Sequence, residues 1–210
     1  MISKDINKRF ISFEGIDFSG KSTQIKLLKS YLEKEGQSVF ILREPGGTDI
    51  SERIRAILLD KEHIKMNARA EMLLFSAARV QLTEEKIIPL LKKGSFVIAD
   101  RFVDSTSAYQ GYGRELEQET IDHVNQFATF GILPGITFYL KISPQDAFQR
   151  RIDSGQEADR LESAGLEFYN KVYEGYENIA KNDPDRFSVL DATQVKDEIH
   201  RQIKERINTL

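Results

Sequence analysis

The segment Gly15-Ile16-Asp17-Phe18-Ser19-Gly20-Lys21-Ser22 matches the pattern G-x-x-x-x-G-K-[ST]. Before it stands a short apolar run, Phe10-Ile11-Ser12-Phe13, and after it Ile25, Leu28 and Leu32 recur at helical spacing. A strand, a glycine-rich turn and a helix in that order point backbone N–H groups and a helix N-terminus at one place, which favours a bound anion. Lys21 is expected to lie exposed at this loop and to reach the β- and γ-phosphates of a nucleoside triphosphate, and the Ser22 hydroxyl to ligand Mg²⁺. Thr23 completes the set of candidate ATP contacts at the loop.

Four further runs resemble the first: Val39-Phe40-Ile41-Leu42, Phe96-Val97-Ile98-Ala99, Ile136-Thr137-Phe138-Tyr139-Leu140 and Phe187-Ser188-Val189-Leu190. They are short, branched or aromatic, and nearly continuous in apolarity, as parallel strands buried on both faces are. Helical patterns separate them. Ile54, Ile57 and Leu58 form one, Met72, Leu73 and Phe75 open another that runs toward Leu91, and Phe168, Val172, Tyr173 and Tyr176 form a later one. Ile199, Ile203 and Ile207 mark the last. This alternation predicts an α/β fold, a five-stranded parallel sheet flanked by helices, in one domain spanning 1–210.

Composition sets the limits. A net charge of -3 is no footprint for general nucleic-acid binding. With no cysteine, disulfides and thiolate metal sites are excluded. His63, His123 and His200 lie far apart without ligand spacing and read as structural or surface residues. The N-terminal MISKDINKRF has no apolar signal core, and Gly131, Pro134 and Gly135 break the longest uncharged stretch, so no membrane span and a cytoplasmic setting are expected. Arg150 to Glu162, RRIDSGQEADRLE, is charged with almost no apolar anchor and reads by pattern as a solvated helix end or loop.

A guanine switch needs N/T-K-x-D and a D-x-x-G after the third strand, and neither stands at its place here. A small nucleotide kinase instead needs a second group of arginines facing the loop, at the C-terminal ends of the strands. Arg43 ends the second strand and leads into Glu44-Pro45-Gly46-Gly47, and Arg101 follows Asp100 at the end of the third. Asp100 is a candidate metal carboxylate. Arg79 falls four residues after Phe75, on the same helix face, where a ring and a guanidinium can hold a base.

These residues resemble the bacterial-type thymidylate kinases over almost the whole chain. The most specific part is Asp100-Arg101-Phe102-Val103-Asp104-Ser105-Thr106-Ser107-Ala108-Tyr109-Gln110-Gly111, similar to that family's D-R-[YFH]-x-x-S-x-x-A-Y-Q-G. Phe13-Glu14-Gly15-Ile16-Asp17, Arg43-Glu44-Pro45-Gly46, Leu74-Phe75-Ser76-Ala77-Ala78-Arg79, Asp159-Arg160-Leu161-Glu162 and Asp191-Ala192-Thr193 support it in the right order. The resemblance implies a homodimeric kinase that moves the γ-phosphoryl group of ATP onto dTMP. It implies that Phe75 stacks on thymine, Arg79 donates to its O4, and Ser105, Thr106 and Gln110 line the base pocket. Tyr109 would sit against the sugar, Arg43 and Arg101 on the dTMP phosphate, Asp17 near the 3′-hydroxyl and the metal, and Ala192 and Thr193 near adenine. A mobile lid would span about 150–162.

The chain departs from the family in two places. Phe18 stands where a P-loop arginine would be, and Ser154 precedes Gly155 where a lid arginine is expected. The lid offers Arg150, Arg151 and Arg160, and Arg151 is the one favoured as catalytic beside Asp17, Lys21 and Arg101, with Arg150 expected on the solvated face. The rival readings are a deoxynucleoside kinase, which would not need Arg43 and Arg101 for a phosphate, and a non-catalytic nucleotide-binding regulator.

Overall fold

The structure, a computed structural model, describes residues 7–157 and 159–209. Residues 1–6, read above for a targeting segment, and residue 158 within the expected lid lie outside the described residues.

The five apolar runs form one parallel sheet in the order β2-β3-β1-β4-β5. The strands are β1 (Phe10–Glu14), β2 (Val39–Arg43), β3 (Phe96–Asp100), β4 (Ile136–Lys141) and β5 (Phe187–Asp191). Each runs one residue beyond its apolar stretch, and the added residues, Glu14, Arg43, Asp100, Lys141 and Asp191, are all polar or charged. The C-terminal edge of the sheet is thereby lined with charge at the switch point beside β1, where α/β sheets bind ligands.

Side chains alternate across the strands with period two. Ile11, Phe13 and Ile98 join the core that includes Ile25, Leu28 and Leu32 of α1 (Lys21–Lys34) and Ile199, Ile203 and Ile207 of α9 (Lys196–Ile207). Phe10, Val97 and Ala99 face the other way, onto Leu82 of α3 (Ala68–Leu82) and Leu91 of α4 (Ile88–Lys92). A π-helical stretch, Thr83–Ile87, joins α3 to α4, so the helix expected to run toward Leu91 is nearly continuous. Burial on both faces is complete only in the middle of the sheet. Edge strands β2 and β5 leave Phe40, Ile41 and Val189 42%, 38% and 49% exposed, because an edge strand has a neighbour on one side only.

The remaining helices are α2 (Asp49–Leu59), α5 (Val103–Thr106), α6 (Gln118–Ala128), α7 (Pro144–Ser154) and α8 (Leu166–Asn182). A second π-helical stretch, Ser107–Gly113, continues α5 and packs on α8. Among the described residues no helix is long and apolar enough to cross a membrane.

Candidate active site

The Gly15–Ser22 loop joins β1 to α1 and turns through left-handed backbone at Gly15 (φ 128), Phe18 (φ 63) and Gly20 (φ 96). A Cβ on Gly15 would come within 2.6 Å of the Leu140 carbonyl oxygen, so glycine is required there. Gly20 caps α1 without a side-chain hydrogen bond, leaving the first helical N–H groups for an anion.

Lys21 is a correction to the expectation above. It is only 6% exposed, and its Nζ donates to the Gly15 and Ile16 carbonyls, each at 2.9 Å. Burial first, and Arg101 next, lower its pKa to about 8. The ammonium folds back onto its own loop because two carbonyl oxygens lie within its reach and burial makes an unpaired charge costly. Two of its three N–H donors are spent and one remains. Ser22 Oγ donates to Asp100 Oδ2 at 3.4 Å, so the two candidate metal ligands stand together.

Arg101 holds the centre of the site. Its own backbone is left-handed (φ 72), and its guanidinium donates to Asp17 Oδ1 at 2.6 Å, Gly15 O at 2.9 Å and the Tyr109 hydroxyl at 3.1 Å. Burial alone would raise the Asp17 pKa, but Arg101 and then Lys21 outweigh it and bring it down to about 2. Asp17 also accepts from the Tyr169 and Tyr109 hydroxyls, at 3.2 and 3.3 Å.

Two cavities open from this centre. The larger, about 500 Å³, is lined by Lys21, Ser22, Thr23, Arg43 and Asp100, with Ser154 and Gln156 closing it from the expected lid. The smaller, about 150 Å³, is bounded by Phe75, Arg79, Ser105, Thr106, Tyr109 and Gln110, with apolar walls at Pro45, Leu59 and Leu161. Asp17, Glu44, Arg55 and Arg101 line both. A phosphate chamber and a base-sized pocket therefore meet at one wall of carboxylates and guanidinium groups.

Several candidate residues are already committed to protein partners. Arg79, 1% exposed, donates from Nε to Glu44 Oε2 at 2.8 Å, from NH1 to Asn125 Oδ1 at 2.9 Å and from NH2 to the Phe102 carbonyl at 3.1 Å. Gln110 donates to Glu71 Oε1 at 2.9 Å, and Arg43 pairs with Glu52 at 3.0 Å on the outer rim. On the opposite side Arg150 donates to Ala192 O at 2.7 Å and to Phe18 O at 3.3 Å, which brings the P-loop and the Ala192-Thr193 turn together. Arg150 is therefore not on the solvated face, which corrects the expectation from sequence.

The pattern of 150–162 also misleads on anchoring. Arg150–Ser154 are the last turn of α7, and Leu161 is 9% exposed. Arg160 is buried, donating to Leu58 O at 2.6 Å and to Glu71 Oε2 at 2.7 Å. Arg151 stacks on Phe148, 5.0 Å from the ring centroid, in a small pocket with Asp17, Phe18 and Tyr169.

Arg55 and Tyr169 were not picked out from the sequence. Arg55 stands inside the Ile54, Ile57, Leu58 pattern of α2, where a cation among apolar positions was the available signal, and it donates to Pro45 O at 3.0 Å. Tyr169 neighbours the apolar stripe of α8 and carries a hydroxyl that the stripe does not need.

A P-loop at the end of the central strand, with an arginine-lined second pocket facing it, defines the site of a nucleoside monophosphate kinase of the P-loop class. The thymidylate kinase family model matches residues 13–203. A thymidylate kinase of Caldanaerobacter subterraneus subsp. tengcongensis is 49% identical over 195 residues, 93% of this chain and 92% of its own. One from Chlorobium phaeobacteroides is 47% identical over 205 residues, covering 94% of this chain and 93% of its own. The crystal structure of thymidylate kinase from Ehrlichia chaffeensis aligns with a TM-score of 0.76 at 34% identity, over 95% of this chain and 97% of that one. The chain belongs to the thymidylate kinase family.

Proposed function

We propose that this chain transfers the γ-phosphoryl group of ATP to dTMP, giving dTDP and ADP on the route to dTTP. The observation that carries this reading is the wall of Asp17, Glu44, Arg55 and Arg101 shared by the two cavities. Phosphoryl transfer needs its donor and acceptor oxygens in line across such a wall, with charge neutralisation rather than covalent help. The triphosphate lies along Gly15, Ile16, Asp17, Phe18, Ser19, Gly20, Lys21, Ser22 and Thr23, with adenine toward Ala192 and Thr193. The dTMP phosphate meets Arg101 and Arg43, with Asp17 by the sugar. Phe75 covers the base, while Pro45, Leu59 and Leu161 give an apolar wall suited to a methylated pyrimidine.

Mg²⁺ fits the oxygens present. It takes one or two protein oxygens together with phosphates and waters, and the Ser22 hydroxyl and Asp100 carboxylate stand 3.4 Å apart at the phosphate chamber. When bound there, the ion would neutralise charge on the phosphates of ATP. Lys21 and Arg101 supply the protein's share of that charge, and Arg101 fixes the acceptor phosphate through its contacts to Asp17 and Gly15.

A homodimer working in the cytoplasm completes the proposal. Leu73 on α3 and Phe127 on α6 are 56% and 80% exposed, on two helices that touch each other.

A coupled assay of ATP turnover with dTMP, dUMP, dCMP and thymidine tests the activity, and dTMP is expected to be the preferred acceptor. Turnover of thymidine without dTMP would replace this reading with that of a nucleoside kinase. No turnover with any acceptor would leave a nucleotide-binding regulator.

Arg79→Ala is expected to weaken dTMP binding roughly 10- to 100-fold, the worth of a hydrogen bond from a charged donor, with ATP binding retained. It should also lower stability, because it strands the Glu44 carboxylate. That carboxyl is pushed up in pKa by burial, an effect Arg79 opposes. Breaking a buried pair in this way costs about 3–5 kcal/mol. Calorimetric titration with each nucleotide and a thermal melt measure the two effects separately. Equal losses for both nucleotides would remove α3 from the acceptor pocket.

A further inference from the structure

Glu14 ends β1 and precedes the phosphate-binding loop, yet it lines neither cavity and is 0% exposed. A fully buried carboxylate is retained only where donors converge on it, and three do. The Phe102 backbone N–H donates to Oε1 at 2.7 Å, and the Ser105 and Tyr176 hydroxyls donate to Oε2 at 2.6 and 2.8 Å. All three donors surround Arg101. Phe102 is the next residue in the chain, and the Arg101 NH1 group donates to the same two hydroxyls, Ser105 at 3.2 Å and Tyr176 at 3.3 Å.

We propose that Glu14 is the positioning residue for Arg101, holding both the backbone turn and the hydroxyl groups that aim its guanidinium at the phosphates. The inference rests on the kinase reading above and adds a residue to it.

Two physical steps support it. First, Arg101 has φ 72, a left-handed conformation uncommon for a residue with a Cβ. The Glu14–Phe102 hydrogen bond fixes the peptide that follows and so holds that turn. Without it the chain would relax toward ordinary dihedrals and carry the guanidinium away from Asp17 and Gly15.

Second, a hydroxyl has one proton. Ser105 and Tyr176 lie 2.9 Å apart, and because each gives its one proton to Glu14, neither donates to the other. With the protons drawn to that side, the oxygen lone pairs face Arg101 and accept from it. An amide at position 14 offers N–H where a second acceptor is needed, so at least one hydroxyl must turn its proton toward the guanidinium. Burial, with Asp104 second, pushes the Glu14 carboxyl up to about 7, while Arg101 pulls it down, so each partner supports the charge of the other. Glu14 touches no substrate in this arrangement and is not a catalytic residue.

The test compares Glu14→Gln, Tyr176→Phe and the double variant with wild type in steady-state kinetics on the intact chain. Glu14→Gln keeps the side-chain volume. It is expected to raise the KM for dTMP about tenfold and lower kcat by a similar factor, the size of one charge-assisted contact. The KM for ATP should stay within about twofold of wild type. Tyr176→Phe should act in the same direction with a smaller effect. The double variant should lose no more than Glu14→Gln alone, because the tyrosine acts through the carboxylate.

A general structural role predicts a different pattern, with a lower melting temperature, equal losses toward both nucleotides, and additive single effects. That pattern overturns the inference, as does a folded Glu14→Gln protein with wild-type kinetics toward dTMP. If Gln at position 14 prevents folding, Tyr176→Phe decides: selective loss toward dTMP supports the proposal, and wild-type kinetics refute it. A wild-type protein that fails to phosphorylate dTMP overturns the kinase reading itself. A wild-type protein that succeeds beside an unaffected Glu14→Gln overturns only the role of Glu14.

Discussion

Lys21→Ala is expected to lower kcat by about 10²–10³-fold, the usual loss when a preorganised charge donor is removed from a developing anion. The fold should survive. Lys21 lines a cavity of about 500 Å³, from which water can replace the ammonium at the Gly15 and Ile16 carbonyls. Because Lys21 already bonds two loop carbonyls, ATP binding need not pull it from the loop, since the third N–H can reach a phosphate oxygen. The ammonium pKa stands at about 8, held down by burial first and Arg101 second. Bound phosphate favours the charged form and raises that pKa. ATP binding at or just above that pH should therefore be accompanied by proton uptake, and Lys21→Ala should abolish the uptake as well as lower kcat. Calorimetry in buffers of different ionisation enthalpy measures the proton count, and a coupled assay measures kcat. Near-normal turnover by a folded Lys21→Ala protein would remove the P-loop lysine from the mechanism.

Lys21 also shows where sequence reading stopped. The motif located the residue and its loop, because glycine spacing and the flanking periodicities are local properties of the chain. Its burial was not local. That depends on the carbonyl oxygens of Gly15 and Ile16 turning inward, and on Arg101 arriving from the end of β3, far away in sequence. The five strands were legible for the first reason, since each was a short apolar run; Arg43 and Asp100 were legible as strand ends too, while Glu14, Lys141 and Asp191 were missed because a charge breaks the pattern that revealed the strand. Phe40 and Ile41 in β2 read as doubly buried because hydrophobicity alone does not say which strand lies at an edge.

The proposed acceptor pocket was legible mainly through resemblance. Phe75 and Arg79 share a helix face by spacing, but nothing in the spacing says that Arg79 leans on Glu44 across the pocket. Arg55 reaches both cavities from a helix whose sequence shows only amphipathic character. Arg160 misled more strongly. Surrounded by charges in the sequence, it reads as solvated, yet Glu71 receives it together with Gln110 and Arg114. Several donors converging on one carboxylate make such burial affordable, and only the fold assembles them.

Those contacts decide which arginine of the 150–162 segment is expected to meet the transferring phosphoryl group. Arg160 is held by the Leu58 carbonyl and by Glu71, and leaving would strand a buried carboxylate interaction. Arg150 spans Phe18 and Ala192, and it is committed to joining those two loops. Ser154 and Gln156, which face the phosphate chamber directly, carry no charge. Arg151 stands beside Asp17 and Phe18, in the last turn of a helix that ends at Gly155 with φ 67. A rotation of that turn over bound ATP would carry its guanidinium toward the phosphates and exclude water from them. Arg151→Ala is therefore expected to lower kcat roughly 10³-fold, as loss of a transition-state arginine does. The affinity for dTMP should be nearly unchanged, because the contact forms mainly in the transition state. Arg150→Ala should instead raise the KM for ATP, and Arg160→Ala should lower the melting temperature. Steady-state kinetics and a melt on the three variants separate these roles. If Arg151→Ala keeps wild-type kcat while Arg150→Ala loses it, the bridging arginine is the catalytic one. If all three keep kcat, Lys21, Arg101 and the metal carry the phosphoryl charge without any arginine from this segment.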